Sequence, residues 1–395
     1  MGIISEWPSK IYFRNPEKSR VVIFDSSGSD IIRKAVLYNI PHTILPLSRE
    51  IFYLSLTLMI FMTKNIRVII DVIIKPTGKS RLKNFILHVY RLYYLACLEY
   101  IRPRVVITFI DNSDLFQWLS RKYKKAEFYA IQNGLRLKWD VTSSFEYSSE
   151  NKGVTSMPHF FCFSPYVKDL YHQYDQEVDN YYPVGSIKAG YYKQVLVKNE
   201  LQGKHYEICL ISEWRYDYYL EGNLFPEIKH TLDILFEYLK KYIYEHELPL
   251  CIATKSADKI SIKREITHYR KIFGDKVEIT TKNENEYATY EAMNKCSIII
   301  SLFSTAAFEA YGWGKKVLIC NLFNSDEFQI PIAEICLVNE PDYETFSRKL
   351  TNLINMSESE YREKTMCNTQ YLMVHNQDKP AHVVIRETIL STLHS

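Results

Sequence analysis

A carboxylate with catalytic potential stands directly after the clearest strand of the first half of the chain. RVVITFI, at residues 104–110, is followed at once by Asp111 and Asn112, and Asp114 comes two residues later. In open parallel sheets, ligands bind beyond the carboxyl ends of the strands. Asp111 is therefore a candidate general base that takes a proton from an acceptor hydroxyl, with Asn112 as an orienting group and Asp114 as a rival base. The alternative is that residues 112–114 form a turn that caps the next helix.

A second polar cluster ends the following predicted strand, in the sequence IQNGLR. It contains Gln132, Asn133, Gly134 and Arg136. The guanidinium of Arg136 can hold a phosphate or a sugar carboxylate with two parallel hydrogen bonds. Asn-Gly also favours a tight turn, so a purely conformational role is the alternative. His159 precedes another strand and is a weaker candidate for sugar binding, since a lone imidazole is often a half-buried structural group.

Hydroxyls in the second half stand where a phosphate can bind. Ser304 and Thr305 open a helix after the apolar strand CSIIIS, so the first free N–H groups of that helix point beyond the strand. Glu309 follows about one turn deeper, where it can accept hydrogen bonds from ribose hydroxyls. The alternative is an ordinary helix cap followed by a solvated acid.

Two further strand ends of the second half carry polar or charged groups. Ser212, Glu213 and Arg215 follow its first strand, and Lys255 follows its second. These hydroxyl and charged groups are suited to contact a phosphate. Trp214 can stack on a base or simply pack against its neighbours.

The elements that must position these residues follow an α/β pattern. Short runs rich in Val and Ile alternate with longer amphipathic stretches, which is typical of βαβ units and a parallel sheet. The pattern stops in a polar segment near the middle of the chain and then restarts. With 395 residues, the chain is long enough for two domains. We predict two doubly wound, Rossmann-like domains facing a central cleft, with these boundaries: 1–186, a linker at 187–205, 206–377, and a final helix at 378–395.

Composition limits the partners. Lys and Arg number 49 against 46 Asp and Glu, a net charge of +3 that gives no global field for nucleic acid, so an anionic ligand must be bound locally. The eight cysteines are too far apart for zinc knuckles, and we expect reduced, buried thiols in a cytoplasmic protein. There is no P-loop, GxGxxG after the first strand, or GxSxG motif, which disfavours NTPases, classical dehydrogenases and α/β-hydrolases. Because no acidic pair or histidine cluster offers metal ligands, we expect no metal and no cofactor.

One apolar segment invites a membrane interpretation. IFYLSLTLMIFM, from Ile51 to Met62, is shorter than the roughly 20 residues needed to span a bilayer. A buried helix is the favoured prediction. An interfacial helix is the alternative, because cations follow that can meet anionic lipid: Lys64, Arg67, Lys75, Lys79, Arg81 and Lys83.

Several motifs resemble those of a known group of enzymes. Residues 296–321, CSIIISLFSTAAFEAYGWGKKVLICN, resemble the nucleotide-binding element of GT-B glycosyltransferases. Across most of the chain, ITFIDNSDLFQWL, FYAIQNGLR, FCFSPYVKDLY and PVGS occur in the order found in bacterial surface-carbohydrate biosynthesis proteins. That group is related to capsule-type Kdo transferases and teichoic-acid glycerophosphotransferases.

The resemblance implies inverting, metal-independent transfer of a sugar from a nucleotide-sugar donor. The donor would bind the C-terminal domain, and a lipid-linked or oligosaccharide acceptor of O-antigen or capsule synthesis would bind the N-terminal one. A Kdo-type sugar from a CMP donor is one option, and the final helix would cross back to the first domain. Such a protein would work in the cytoplasm, at the inner face of the membrane. The alternatives are a CDP-alditol phosphotransferase, a sugar-nucleotide epimerase and a non-catalytic glycan-assembly scaffold.

Overall fold

The computed structural model describes residues 9–47, 50–64, 81–142, 155–198, 205–220, 226–282, 287–323 and 326–395. The sequence also predicts a strand at residues 66–74, where IRVIIDVII is mostly apolar, and a polar loop at residues 140–153. The strand and most of the loop lie outside the described residues.

The N-terminal domain is built on a six-stranded parallel sheet with the order β3-β2-β5-β6-β7-β8. Strands β1 and β4 form a separate parallel pair. The central strands β2 and β5 are buried along their whole length, as expected for a sheet covered on both faces. The strands are β1 (Lys10–Tyr12), β2 (Val21–Phe24), β3 (Thr43–Leu45), β4 (Ile51–Tyr53), β5 (Val105–Thr108), β6 (Glu127–Ile131), β7 (Ser156–Cys162) and β8 (Glu177–Pro183).

Helices connect these strands. They are α1 (Ser29–Ile31, continuing as a π-helix over Ile32–Val36), α2 (Leu56–Lys64), α3 (Arg81–Ile101), α4 (Asp114–Lys122), α5 (Lys138–Thr142) and α6 (Pro165–Gln173). The apolar segment 51–62 is not the buried helix that its sequence favours. It forms β4 and most of α2, and Leu58 is the buried residue of α2.

The C-terminal domain repeats this plan with a second six-stranded parallel sheet, in the order β11-β10-β9-β12-β13-β14. Its strands are β9 (Tyr206–Ile211), β10 (Leu250–Ala253), β11 (Glu278–Thr280), β12 (Cys296–Ser301), β13 (Lys316–Cys320) and β14 (Leu337–Val338). The remaining helices are α7 (Ile187–Lys198), α8 (Pro226–Glu245), α9 (Lys259–Phe273), α10 (Ala288–Asn294), α11 (Thr305–Gly312), α12 (Tyr343–Asn355), α13 (Glu358–Leu372) and α14 (Ala381–His394). Two parallel, doubly wound sheets confirm the predicted fold class.

The last helix lies against the N-terminal domain. The Arg386 guanidinium donates to the Val36 carbonyl at 2.5 Å, and the Tyr129 and Thr392 hydroxyls are 2.7 Å apart. The predicted linker at residues 187–205 contains α7, so much of it is helical rather than irregular. None of the helices in the described parts of the chain has the length and apolar character needed to cross a bilayer.

Candidate functional site

A cleft of about 830 Å³ lies between the two domains. Its N-terminal wall is the segment after β6, which includes Gly134, Trp139 and Asp140. Its C-terminal wall consists of residues that follow β9, β10, β11, β12 and β13. The cleft therefore lies at the carboxyl ends of the strands, where open α/β sheets bind ligands.

The amino terminus of α11 faces this cleft through Ser304, Thr305 and Ala306. Ser304 is the N-cap residue in extended conformation, but its side chain makes no capping hydrogen bond. The Thr305 hydroxyl accepts the Leu135 backbone N–H at 2.9 Å, which joins the helix start to the N-terminal domain. The helix start thus offers N–H groups and hydroxyls to an anion in the cleft.

Three cationic side chains line the same cleft. Arg215, Lys255 and Lys282 follow β9, β10 and β11, three neighbouring strands of the sheet. Arg215 pairs with Asp217 at 2.6 Å, but within the described residues Lys255 and Lys282 have no carboxylate within 4 Å. As far as the described residues go, both ammonium groups are therefore available to an anionic ligand.

The pKa values of both lysines are lowered. Enclosure of the Lys255 ammonium lowers its pKa, the Glu213 carboxylate opposes this, and the Arg215 cation adds to it. Enclosure also lowers the pKa of Lys282, and the nearby cations Lys188 and Lys255 lower it further. Such a concentration of like charge is relieved when an anion binds.

Glu213 shapes the cleft rather than contacting a ligand through free oxygens. Its carboxylate is buried and accepts hydrogen bonds from the Ser301 hydroxyl at 2.8 Å and from the N–H groups of Leu302 at 2.7 Å and Phe303 at 3.1 Å. Burial raises its pKa, and these hydrogen bonds oppose the increase. Glu213 therefore fixes the turn between β12 and α11 from the neighbouring strand end.

Ser212 belongs to a buried network under the Lys255 loop. Its hydroxyl contacts the Glu265 carboxylate and accepts a hydrogen bond from the Tyr269 hydroxyl at 2.7 Å. Glu265 in turn accepts the N–H groups of Lys255 and Ser256, both at 3.0 Å. Ser212 lines the cleft, yet its hydrogen bonds hold the loop that carries Lys255.

Glu309 does not line the cleft, which calls for a correction to its predicted ribose-binding role. Its carboxylate is buried and accepts the hydroxyls of Ser186 and, at 2.8 Å, Tyr290. Burial raises its pKa, and both hydroxyl contacts oppose this. We assign Glu309 to the contact between α11, α10 and the segment that leaves the first domain.

Asp111 also requires a correction. It is only 1% exposed, and the Arg136 guanidinium contacts both of its oxygens, at 2.5 and 2.6 Å. The Asn133 N–H donates to the same carboxylate at 3.1 Å. Burial acts to lower the pKa of Arg136, but the Asp111 charge outweighs it and raises that pKa. The pair is a buried structural link, so neither the acceptor hydroxyl nor a ligand phosphate has direct access to its charges.

The other predicted residues of the N-terminal domain take mainly structural places. Asn112 and Asp114 are exposed and absent from the cleft lining, and Ser113 caps α4 by accepting the Phe116 N–H at 3.3 Å. Residues 112–114 therefore form the capping turn that the sequence offered as the alternative to a catalytic role. His159 lies between the Tyr182 hydroxyl and the Glu127 carboxylate, each 3.1 Å from one ring nitrogen.

The IQNGLR turn is held by its own side chains. The Gln132 amide donates to the Gly134 carbonyl at 2.7 Å and accepts the Phe163 N–H at 2.7 Å. The Asn133 side-chain oxygen accepts from Arg136 at 3.0 Å. Gly134 and Leu135 are the members of this turn that line the cleft, whereas Gln132, Asn133 and Arg136 hold its backbone in place.

A carboxylate missed by the sequence analysis lies in the cleft. Asp140, in α5, accepts the Leu137 N–H at 2.8 Å. Burial raises its pKa, while this N–H and the Arg136 cation oppose the increase. A raised pKa in a ligand-sized cleft is typical of a group that transfers protons. In the sequence, Asp140 begins a polar stretch that is predicted to be a loop. Nothing in that pattern indicates that Asp140 lies in a cleft.

Aromatic side chains cover part of the cleft. Trp139 stacks on Phe328 with 6.4 Å between ring centroids, and Phe323 stacks on Phe328 at 4.5 Å. Trp214, by contrast, is buried and stacks on His268, so it does not reach a base in the cleft. The exposed face of Trp139 is better placed for stacking on a flat ligand.

A group of side chains able to hold a metal ion occurs away from the cleft. The sulfur atoms of Cys209, Cys251 and Cys296 lie within 4.8 Å of one another in the core of the second sheet. All eight cysteines are free thiols, and Cys367 is the exposed one.

Comparison with solved structures shows which fold class the chain belongs to. Solved structures that share the fold include UDP-GlcNAc 2-epimerase from Methanocaldococcus jannaschii in complex with UDP-GlcNAc and UDP (11% identity, 97% of this chain and 99% of that one, TM-score 0.52). The wall teichoic acid polymerase TagF is similar to the same extent (12% identity, 95% and 90%, TM-score 0.51). The two domains therefore form a GT-B-like fold.

Comparison of the sequence with protein families shows which family the chain belongs to. Residues 129–384 match the family described as "putative O-antigen biosynthesis protein". The chain belongs to this family, which confirms the resemblance to surface-carbohydrate biosynthesis proteins. None of the curated proteins compared with this chain matches it.

Proposed function

We propose that the protein is a glycosyltransferase of O-antigen synthesis that uses a nucleoside-diphosphate sugar. One observation carries this proposal: Lys255 and Lys282, without carboxylate partners among the described residues, converge with Arg215 on a cleft that also receives the amino terminus of α11. Fixed cations and N–H groups can stabilise the negative charge that develops on a departing nucleotide. In other enzymes a metal ion performs this task. Because the cations and N–H groups of the cleft would take its place, we expect turnover without a divalent metal.

The number of cations favours a diphosphate over a monophosphate. A CMP-linked sugar, the donor of Kdo-type transfer, brings one phosphate, whereas a nucleoside-diphosphate sugar brings two. Two lysines without carboxylate partners among the described residues, together with a helix terminus, suit the larger charge, while Arg215 shares its charge with Asp217. The UDP complex of a protein with the same fold supports this choice.

Asp140 is the proposed general base, in place of Asp111. It lines the cleft, and its raised pKa makes it a better proton acceptor than an ordinary aspartate. Deprotonation of an acceptor hydroxyl would allow direct displacement of the nucleotide with inversion at the anomeric carbon. The acceptor, a lipid-linked O-antigen intermediate at the cytoplasmic membrane face, would enter beside the N-terminal wall.

A thermal-shift panel with UDP, GDP, CDP, dTDP and CMP, each with and without EDTA, tests the proposal. At a concentration 100 times the dissociation constant, a ligand adds about 2.7 kcal/mol of stability. We expect this for at least one diphosphate, a smaller effect for CMP, and no change with EDTA. Slow hydrolysis of the matching sugar donor should follow.

Other outcomes separate the rival functions. Stabilisation by CDP together with turnover of a CDP-alditol would indicate alditol-phosphate transfer. Conversion of a nucleotide sugar without any acceptor would indicate an epimerase. No binding and no turnover would contradict the proposal and leave a scaffold.

A further inference from the structure

Helix α2 exposes an apolar face outside the cleft. Leu56, Met59 and Ile60 are 71%, 45% and 49% exposed, and their spacing places them on one side of the helix. Leu58 is 2% exposed and packs in the core. A nine-residue helix of this composition would normally bury its large apolar side chains, so its outer face is suited to an apolar contact.

Two more apolar residues are exposed at the strand ends that precede α2 in the fold. Phe13 is 81% exposed and Leu54 is 37% exposed. The Leu54 N–H donates to the Tyr12 carbonyl at 2.8 Å, which holds these two strand ends side by side. We call Phe13, Leu54, Leu56, Met59 and Ile60 the α2 surface.

Two exposed cations stand next to residues of the α2 surface. Arg14 follows Phe13 in the chain, and Lys64 lies one turn beyond Ile60 on α2. The Arg14 guanidinium lies 5.2 Å from the Tyr12 ring centroid, and the Lys64 ammonium lies 5.2 Å from the Phe61 ring centroid. Apolar side chains next to cations are typical of segments that insert into the interface of an anionic membrane.

We propose that the α2 surface docks on a bilayer of anionic lipids, with Leu56, Met59 and Ile60 among the acyl chains and the cations at the headgroups. A second copy of the chain is a poorer partner, because a two-fold contact would bring the same cations against each other. This inference goes beyond the proposed function, since vesicle binding needs no nucleotide. Docking would hold the protein beside lipid-linked molecules.

Co-sedimentation of the full chain with vesicles tests the docking. We expect binding to vesicles of phosphatidylcholine with phosphatidylglycerol, weaker binding to phosphatidylcholine alone, and weakening by salt. Leu56→Glu/Ile60→Glu should reduce binding at least about tenfold, because charges are then forced into the apolar layer. Ile260→Glu is the matched control, since Ile260 is 67% exposed in the other domain.

The results that would overturn membrane docking differ from those that would overturn nucleotide binding in the cleft. Wild-type protein that ignores anionic vesicles, or a double variant that binds as wild type does, would overturn the docking. So would dimers that the double variant loses without any vesicle binding. Lys64→Glu tests the electrostatic part if the double variant does not fold. Nucleotide binding, measured without vesicles, should be unchanged in all variants.

Discussion

Asp111 shows that a carboxylate at a strand end can be buried in an ion pair rather than open to a cleft. The position of Asp111 directly after a strand correctly predicted that it lies at the carboxyl edge of the sheet. It could not show that Arg136 is the ion-pair partner of Asp111, because Arg136 lies 25 residues further along the chain. The same reasoning led to Ser304, Thr305, Arg215 and Lys255, which the structure brings to one cleft. Lys282 and Asp140 were missed because neither stands in a recognisable motif.

Replacement of Asp111 by Asn should destabilise the protein rather than remove a base. Arg136 would remain buried without its counter-charge, and breaking a buried pair costs about 3–5 kcal/mol. Urea unfolding measures the effect. Asp114→Asn is the control, since an exposed residue outside the cleft should change stability by less than about 0.5 kcal/mol. A stable Asp111→Asn protein with no turnover would return the catalytic role to Asp111.

Replacement of Asp140 by Asn should reduce turnover by roughly 10²–10⁴ while nucleotide affinity is kept, because proton acceptance is lost. In the wild type, the base must be ionised, so turnover should fall as the pH drops through the pKa of Asp140. That pKa is raised, so the fall should occur above the usual aspartate range.

Steady-state kinetics against pH test this role. Glu227 is the other carboxylate for comparison, since it also lines the cleft but is exposed. Loss of turnover in Glu227→Gln, with normal turnover in Asp140→Asn, would assign the base to Glu227 instead.

At the scale of elements, the hydrogen bonds of Glu213 connect β9 to the turn before α11. Replacing it with Gln places an N–H₂ group where the carboxylate now accepts backbone N–H groups. An unsatisfied buried donor costs about 1–3 kcal/mol, so stability and nucleotide binding should both decrease. Glu207→Gln, at the start of the same strand, is the control for denaturant unfolding and nucleotide titration. Unchanged binding in Glu213→Gln would show that this turn does not form the site.

The alternation of strands and helices was predictable because the buried strands are short apolar runs, and β2, β5 and β12 are rich in Val and Ile. Helix α7 was missed because its residues lack a clear apolar stripe, although Ser186 precedes it and its hydroxyl accepts the Ala189 N–H at 3.3 Å. The sequence offered an interfacial helix for α2 only as the alternative, because composition alone favours burial of an apolar segment. Only the packing of α2 shows which of its sides remains in solvent.

At the scale of the whole molecule, two of the hydrogen bonds that join the domains involve α11. The Leu135 N–H reaches Thr305 at its start, and Ser186 reaches Glu309 within it. The net charge of +3 is small, and the three cations that line the cleft stand at three strand ends. The small net charge can be read from the sequence, while the local concentration of cations required the fold.

Binding of a nucleoside diphosphate to lysine variants is the most direct test of the account. The ligand is the diphosphate with the largest thermal shift, measured by titration calorimetry against Lys255→Ala and Lys282→Ala. Lys276→Ala is the matched control, because Lys276 precedes the strand β11 that Lys282 follows. Each charge-assisted contact contributes about 1.5–3 kcal/mol, so both cleft variants should bind at least tenfold more weakly than wild type and the control should not. Equal affinity in all four proteins would contradict a diphosphate site in this cleft.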